Sequence, residues 1–199
     1  MAGTDRISDI VRALSSDGAT TSDFDLNPDV TLQPGRKLRP AGVLCAIEDG
    51  PTPQVILTRR SARLKHHPGQ IAFPGGKQDE GDADPIAAAI REAKEEIGLP
   101  PSHVDVLGTL PSHETVTGFT VTPVFARVTH GFEDRVEIGE VDEVFRVPLS
   151  HVSDPARFRV EGRRWQGRRR HYYTVPYGPY YIWGATARIL RALAERVGS

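Results

Sequence analysis

Phe73-Pro-Gly-Gly-Lys-Gln-Asp-Glu-Gly-Asp-Ala-Asp-Pro-Ile-Ala-Ala-Ala-Ile-Arg-Glu-Ala-Lys-Glu-Glu-Ile-Gly-Leu99 reads as a glycine-rich loop running into a helix. Asp84-Pro85 starts the helix, with aspartate as N-cap and proline at the first helical position. Gly98-Leu99-Pro100 ends it. At about 100° per residue, Glu92, Glu95 and Glu96 fall within about a third of the helix circumference, and Ile86, Ala89, Ile90, Ala93 and Ile97 form the adjoining apolar face. One face packs and its neighbour gathers carboxylates. Like charges at this spacing repel, so the cluster costs stability unless a cation resides there, and hard oxygen ligands suit Mg²⁺ or Mn²⁺. Taken alone, the same pattern also fits a solvated acidic face with Arg91 and Glu95 as a surface pair.

Upstream of the loop, Ala41–Ile47 and Gln54–Thr58 have the composition of buried strands, and Asp49-Gly50-Pro51 between them predicts a turn and a simple hairpin. Strand-like stretches follow the helix at Val104–Leu110, Phe119–Val128, Phe158–Trp165 and His171–Val175, and a last helix is predicted over about 184–197. At the other end, Ile7, Ile10, Val11 and Leu14 recur at helical spacing, predicting a short amphipathic helix over 5–15. Residues 16–37, with Asn27-Pro28 and Pro34-Gly35, read as a loop or extended arm. Strands and helices are interspersed without regular βαβ alternation, which favours an α/β (α+β) fold with a mixed sheet sandwiched between helices.

A chain of 199 residues fits one ordinary domain plus a short extension. With 38% apolar and 26% charged residues it can bury a core. The first residues carry acids and no apolar signal segment, no apolar run is long enough for a bilayer, and Cys45 is the single cysteine. The expectation is a soluble protein of the cytoplasm with no membrane partner. A formal charge of −1 excludes a strongly basic nucleic-acid binder. Its distribution is uneven: residues 157–171 hold seven arginines against Glu161 alone. These arginines are interleaved with Phe158 and Trp165, and Gln166-Gly167 at the centre predicts a basic hairpin. A solvated hairpin, a dimer contact and a clamp on an anionic substrate all fit it. Nucleic-acid binding fits less well, since no recognised RNA-binding motif accompanies it.

The helix half of the opening stretch, Arg91-Glu92-Ala93-Lys94-Glu95-Glu96-Ile97-Gly98-Leu99, together with Gly75-Gly76, resembles the box of the Nudix hydrolases over its full length. The loop half carries Asp82 where that box has glutamate, with one residue more before Arg91. The same loop length and aspartate mark the coenzyme A pyrophosphatase branch. That branch's second motif is matched in spacing by Leu57-Thr58-Arg59-Arg60-Ser61, Arg63, Gly69 and Phe73-Pro74-Gly75-Gly76, with Lys65 where arginine is usual. Ile182-Trp183-Gly184-Ala185-Thr186-Ala187 looks like the branch's entry to its C-terminal helix. The resemblance covers roughly residues 38–197, implying a Nudix domain over 38–199 preceded by a helix and arm over 1–37.

The resemblance implies a Mg²⁺- or Mn²⁺-dependent hydrolase of coenzyme A and its acyl or oxidised derivatives, yielding 3′,5′-ADP and 4′-phosphopantetheine or its acyl form, and acting as a homodimer. Metals would screen the diphosphate and lower the pKa of a bound water. Glu92 and Glu96, one turn apart, are the expected ligand pair. Glu95 adds a ligand or works as base, and Arg91 orients a neighbouring glutamate. Glu140 stands where related proteins place a loop glutamate near the metals, and reads equally as a solvated acid. Glu143 reads as part of a turn leading into Val144-Phe145. For the substrate, Arg60, Arg63, Lys65 and His67 offer cations, and Gly69, Gly75 and Gly76 offer tight backbone close to phosphate. The alternatives are a pyrophosphatase for ADP-ribose or another nucleoside diphosphate derivative, and a non-catalytic nucleic-acid or anion-binding module.

Overall fold

The computed structural model describes residues 2–16, 18–30, 35–165 and 167–198. In chain order the elements are α1 (Ala2–Leu14), β1 (Thr21–Ser22), β2 (Arg39–Glu48), β3 (Gln54–Arg60), β4 (Ile71–Ala72), β5 (Gly75–Lys77), α2 (Pro85–Ile97), β6 (Val104–Thr109) and β7 (His113–Glu114). Then come β8 (Phe119–Val128), β9 (Val141–Pro148), α3 (Leu149–Val152), β10 (Arg159–Trp165), β11 (Arg168–Thr174) and α4 (Gly184–Val197). Pro34 and Gln166, which the sequence places in turns, lie outside the described residues.

β1 to β9 form one mixed sheet. Its centre is the parallel pair of β2 and β8, in register from Arg39 opposite Phe119 to Glu48 opposite Val128. Both strands are apolar at consecutive positions because the sheet is covered on both faces. Leu44 and Ala46 of β2, Ile56 of β3, and Val124 and Ala126 of β8 pack under Ala89, Ala93 and Ile97 of α2. Cys45, Ile47, Leu57 and Phe125 point the other way, towards Ile10 of α1 and Leu190 and Leu193 of α4. The layers are therefore helix, mixed sheet, helix, as the sequence predicts. The N-terminal helix and the arm with β1 are packed rather than loose. Ile7, Ile10 and Ala13 are buried in the same core, and β1 pairs with β7 through Thr21 and Ser22.

The expected hairpin of β2 and β3 is held by only two residue pairs, Ile47 with Val55 and Glu48 with Gln54. Beyond them β5 takes the place beside β2, aligning Gly76 with Gly42 and Gly75 with Val43. This wedge brings the glycine loop under α2. β3 turns instead to β9, with Leu57 opposite Phe145 and Arg59 opposite Glu143. Glu143 is thus a strand residue and not part of a turn, because Val141, Phe145 and Val147 bury alternate positions of a strand the sequence reading passed over. β10 and β11 form a separate antiparallel ribbon, with Arg163 opposite Arg170 and Arg164 opposite Arg169.

Candidate active site

The site is assembled where β5 runs into α2. Asp84 caps the helix by accepting the Ala87 N–H at 2.8 Å, and Gly98 closes it in the left-handed conformation at φ 75°. These two caps fix the helical register, and the register decides which way each glutamate points. Glu96 is 4% exposed, and one of its carboxylate oxygens accepts the Gly75 N–H at 3.0 Å. Burial, with Glu92 and Glu140 close by, pushes its carboxyl up to about 7. Glu92 is also raised, first by burial and then by Glu95 and Glu140, against the opposing pull of Arg91. A side chain at position 76 would put its Cβ 2.5 Å from a Glu92 carboxylate oxygen, so glycine there makes room for that acid against the loop.

Arg91 is the bracket between loop and helix. Its Nε and one terminal nitrogen grip Asp82 at 3.0 and 2.9 Å, a bidentate pair. Its other terminal nitrogen donates to Glu92 and Glu95, both at 3.0 Å. Asp82 in turn accepts the Asp79 N–H at 2.9 Å, closing the loop on itself. Hydrogen bonding from Arg91 holds Asp82 below the usual carboxylate range. Sequence reasoning missed this role of Asp82, for which the only signal was an acid nine residues before Arg91.

A second loop closes the far end of α2. Arg135 N–H donates to the Ile97 carbonyl and Glu137 N–H to that of Glu96, both at 3.0 Å. Ser61 N–H donates to the Glu140 carbonyl at 2.8 Å. The segment after β3 and the segment before β9 are so tied together over the helix end, and Glu140 acts on both Glu92 and Glu96. Arg60 faces the same centre, its charge lowering Glu96 against the effect of burial.

The residues singled out from the sequence therefore divide. Glu92, Glu96, Glu140, Arg60, Arg91, Gly75 and Gly76 come together. Glu95 stands apart on the exposed side, 55% accessible and turned onto Arg91. Arg63 and Lys65 are exposed on the loop after β3, Arg63 near Asp142. His67 and Gly69 line a different space, a cavity of about 500 Å³ shared with Arg59, Arg163, Tyr180 and Trp183. The sequence reading had not brought those last four into one site. The run Tyr180-Tyr181-Ile182-Trp183 was the available signal.

Among the described residues, no three acids, histidines or cysteines converge tightly enough to hold a metal as they stand. The guanidinium of Arg91 draws one oxygen of Glu92 and one of Glu95 to itself. The donor chemistry still fits a hard divalent cation. Burial and mutual repulsion raise two carboxylates one helical turn apart, and a cation between them would relieve both.

The NUDIX domain family model matches residues 38–166. The uncharacterized Nudix hydrolase NudL of Escherichia coli strain K12 is 42% identical over 160 residues, covering 80% of this chain and 83% of that protein. NudL of Shigella flexneri serotype 5b is 40% identical over 173 residues, covering 87% of this chain and 90% of that protein. The crystal structure of a MutT protein from Methanosarcina mazei Go1 matches at a TM-score of 0.52 and 17% identity, over 83% of this chain and 96% of that one, and shows the same fold.

Proposed function

Since the chain belongs to the Nudix family of hydrolases acting on phosphoric anhydrides, we propose that its substrate is coenzyme A or an acyl or oxidised derivative, cleaved at the diphosphate to 3′,5′-ADP and 4′-phosphopantetheine or its acyl form. The observation that supports this reading is the segment from Leu57 to Gly76, whose spacing resembles that of the coenzyme A pyrophosphatases, with Lys65 where arginine is usual. That segment leads from β3 onto the wedge under α2 and sets Arg60 beside Glu96. A second arginine, Arg63, lies on the same loop in reach of an anionic substrate.

In this reading Glu92 and Glu96 would hold Mg²⁺ or Mn²⁺, and Glu95 would add a ligand or work as base. The ion, when bound, neutralises diphosphate oxygens and makes a water nucleophilic at neutral pH. The chain's own residues do the rest. The Gly75 N–H orients Glu96, Arg91 aims Glu92 while locking the loop through Asp82, and Arg60 meets negative charge on the substrate. Glu140 is the acid placed to take a proton from the attacking water, because it faces the two ligands without being bracketed by Arg91. Initial rates on coenzyme A, dephospho-coenzyme A and ADP-ribose with one metal at one concentration test the assignment. The expected order puts coenzyme A first, and a preference for ADP-ribose overturns it.

A further inference from the structure

The cavity of about 500 Å³ lies outside the carboxylate site and has a different chemistry. Its walls are the rings of Tyr180, Tyr181 and Trp183, its cations are Arg59 and Arg163, and His67, whose pKa is lowered by burial and by the Arg60 charge, adds a neutral imidazole. The rings are held in place. Tyr180 is stacked on Phe145 at 3.6 Å, and Trp183 lies 5.1 Å from Tyr172. The nearby acids are engaged: Glu143 by Arg59 at 3.1 Å and by the Tyr180 hydroxyl at 2.6 Å, and Glu161 by the Tyr181 hydroxyl at 2.6 Å. Arg163 is different, for among the described residues no carboxylate pairs with it. It reaches the cavity from β10, so the basic ribbon contributes one cation to this wall.

Flat aromatic walls with a free guanidinium suit a nucleobase carrying an additional phosphate. A neutral amide chain such as pantetheine has no use for that cation. The cavity is also within reach of the carboxylates. The charge of Arg60 acts both on His67, which lines the cavity, and on Glu96, so one arginine at the end of β3 joins the two places. Resting on the reading above, we infer that this cavity seats the nucleobase end of the substrate and that Arg163 pairs with a phosphate on its ribose, outside the diphosphate. Arg163 then selects the 3′-phosphorylated nucleotide over its dephosphorylated form, while Trp183 holds the base of either.

The test compares wild type, Arg163→Ala and Trp183→Ala, with Arg164→Ala as the control from the opposite face of the ribbon. Loss of a charge-assisted phosphate contact should lower kcat/KM for coenzyme A about tenfold or more in Arg163→Ala and leave dephospho-coenzyme A unchanged. Trp183→Ala should lower both substrates together, and Arg164→Ala neither. Calorimetry with 3′,5′-ADP and 5′-AMP on the same proteins keeps the subsite separate from the choice of substrate. Arg163→Ala should weaken 3′,5′-ADP alone, whichever diphosphate the enzyme turns over. Equal losses for the phosphorylated and dephosphorylated ligands, or wild-type binding of both with equal strength, would overturn the inference. Failure of wild type to cleave coenzyme A would instead overturn the substrate assignment.

Discussion

The junction of β5 with α2 and the cavity beneath the basic ribbon are built on opposite plans. The first gathers acids within a short stretch of chain and holds them with local contacts: two helix caps, the Gly75 N–H on Glu96, and Arg91 gripping Asp82, Glu92 and Glu95. The second gathers rings and cations from β3, the loop after it, β10 and the segment before α4. Under the proposed function, the groups that act on the reacting bond would sit on a capped helix backed by the sheet, whereas those that recognise the rest of the substrate would come from separate segments. The difference predicts different penalties. Damage to the acidic junction should remove turnover, and damage to the cavity should change which substrate is preferred.

Glu96→Gln strikes that contrast hardest. It keeps shape and the capacity to accept the Gly75 N–H but removes the charge a cation needs, so kcat should fall about a thousandfold with the fold retained. Circular dichroism alongside the rate assay distinguishes this from unfolding, and unchanged turnover would remove Glu96 from the mechanism. Arg91→Lys comes next. A lysine keeps the charge but cannot bridge Asp82, Glu92 and Glu95 at once, and the resulting misplacement of Glu92 should cost about a hundredfold in kcat/KM. Its KM should change much less than its kcat if Arg91 positions a ligand instead of binding substrate.

The same contrast explains what could be read from the sequence. The α2 site was legible because its caps, its apolar face and its carboxylates lie within residues 84–98, where helical spacing converts directly into direction. The layered mixed sheet was legible too, from strands and helices interspersed without regular βαβ alternation. The wedge of β5 was not, since Gly75-Gly76-Lys77 has no strand propensity and is extended only because β2 offers it a free edge. Glu143 was misplaced for a related reason: its partners Arg59 and Tyr180 are distant in sequence, and pairing across β3 decides its geometry. The cavity depends wholly on such long-range meetings, so the sequence left the basic hairpin open between a solvated ribbon, a dimer contact and an anion clamp, and did not single out Arg163.

The smallest effect is one of stability, and it asks whether the acidic junction bears a measurable cost without its cation. In the metal-free protein Glu96 has a carboxyl raised from an ordinary value of 4.5 to about 7, chiefly by burial. The folded form therefore holds a proton that the unfolded chain releases at lower pH. Stability arising from this group is full below about pH 4.5 and is lost as pH climbs through about 7, where the folded carboxyl must ionise. The loss between about pH 5 and pH 7 is on the order of 2 kcal/mol, or roughly 4–8 °C in Tm for a chain of this size. Glu96→Gln has no proton to lose, so in chelator its Tm should gain on wild type by that amount across the same interval. Adding Mg²⁺ at pH 7 should restore the wild type and leave the variant unmoved. A difference between the two proteins that stays flat from pH 5 to 7 would mean that the buried carboxylate is already compensated within the chain, with Arg60 as the group to substitute next.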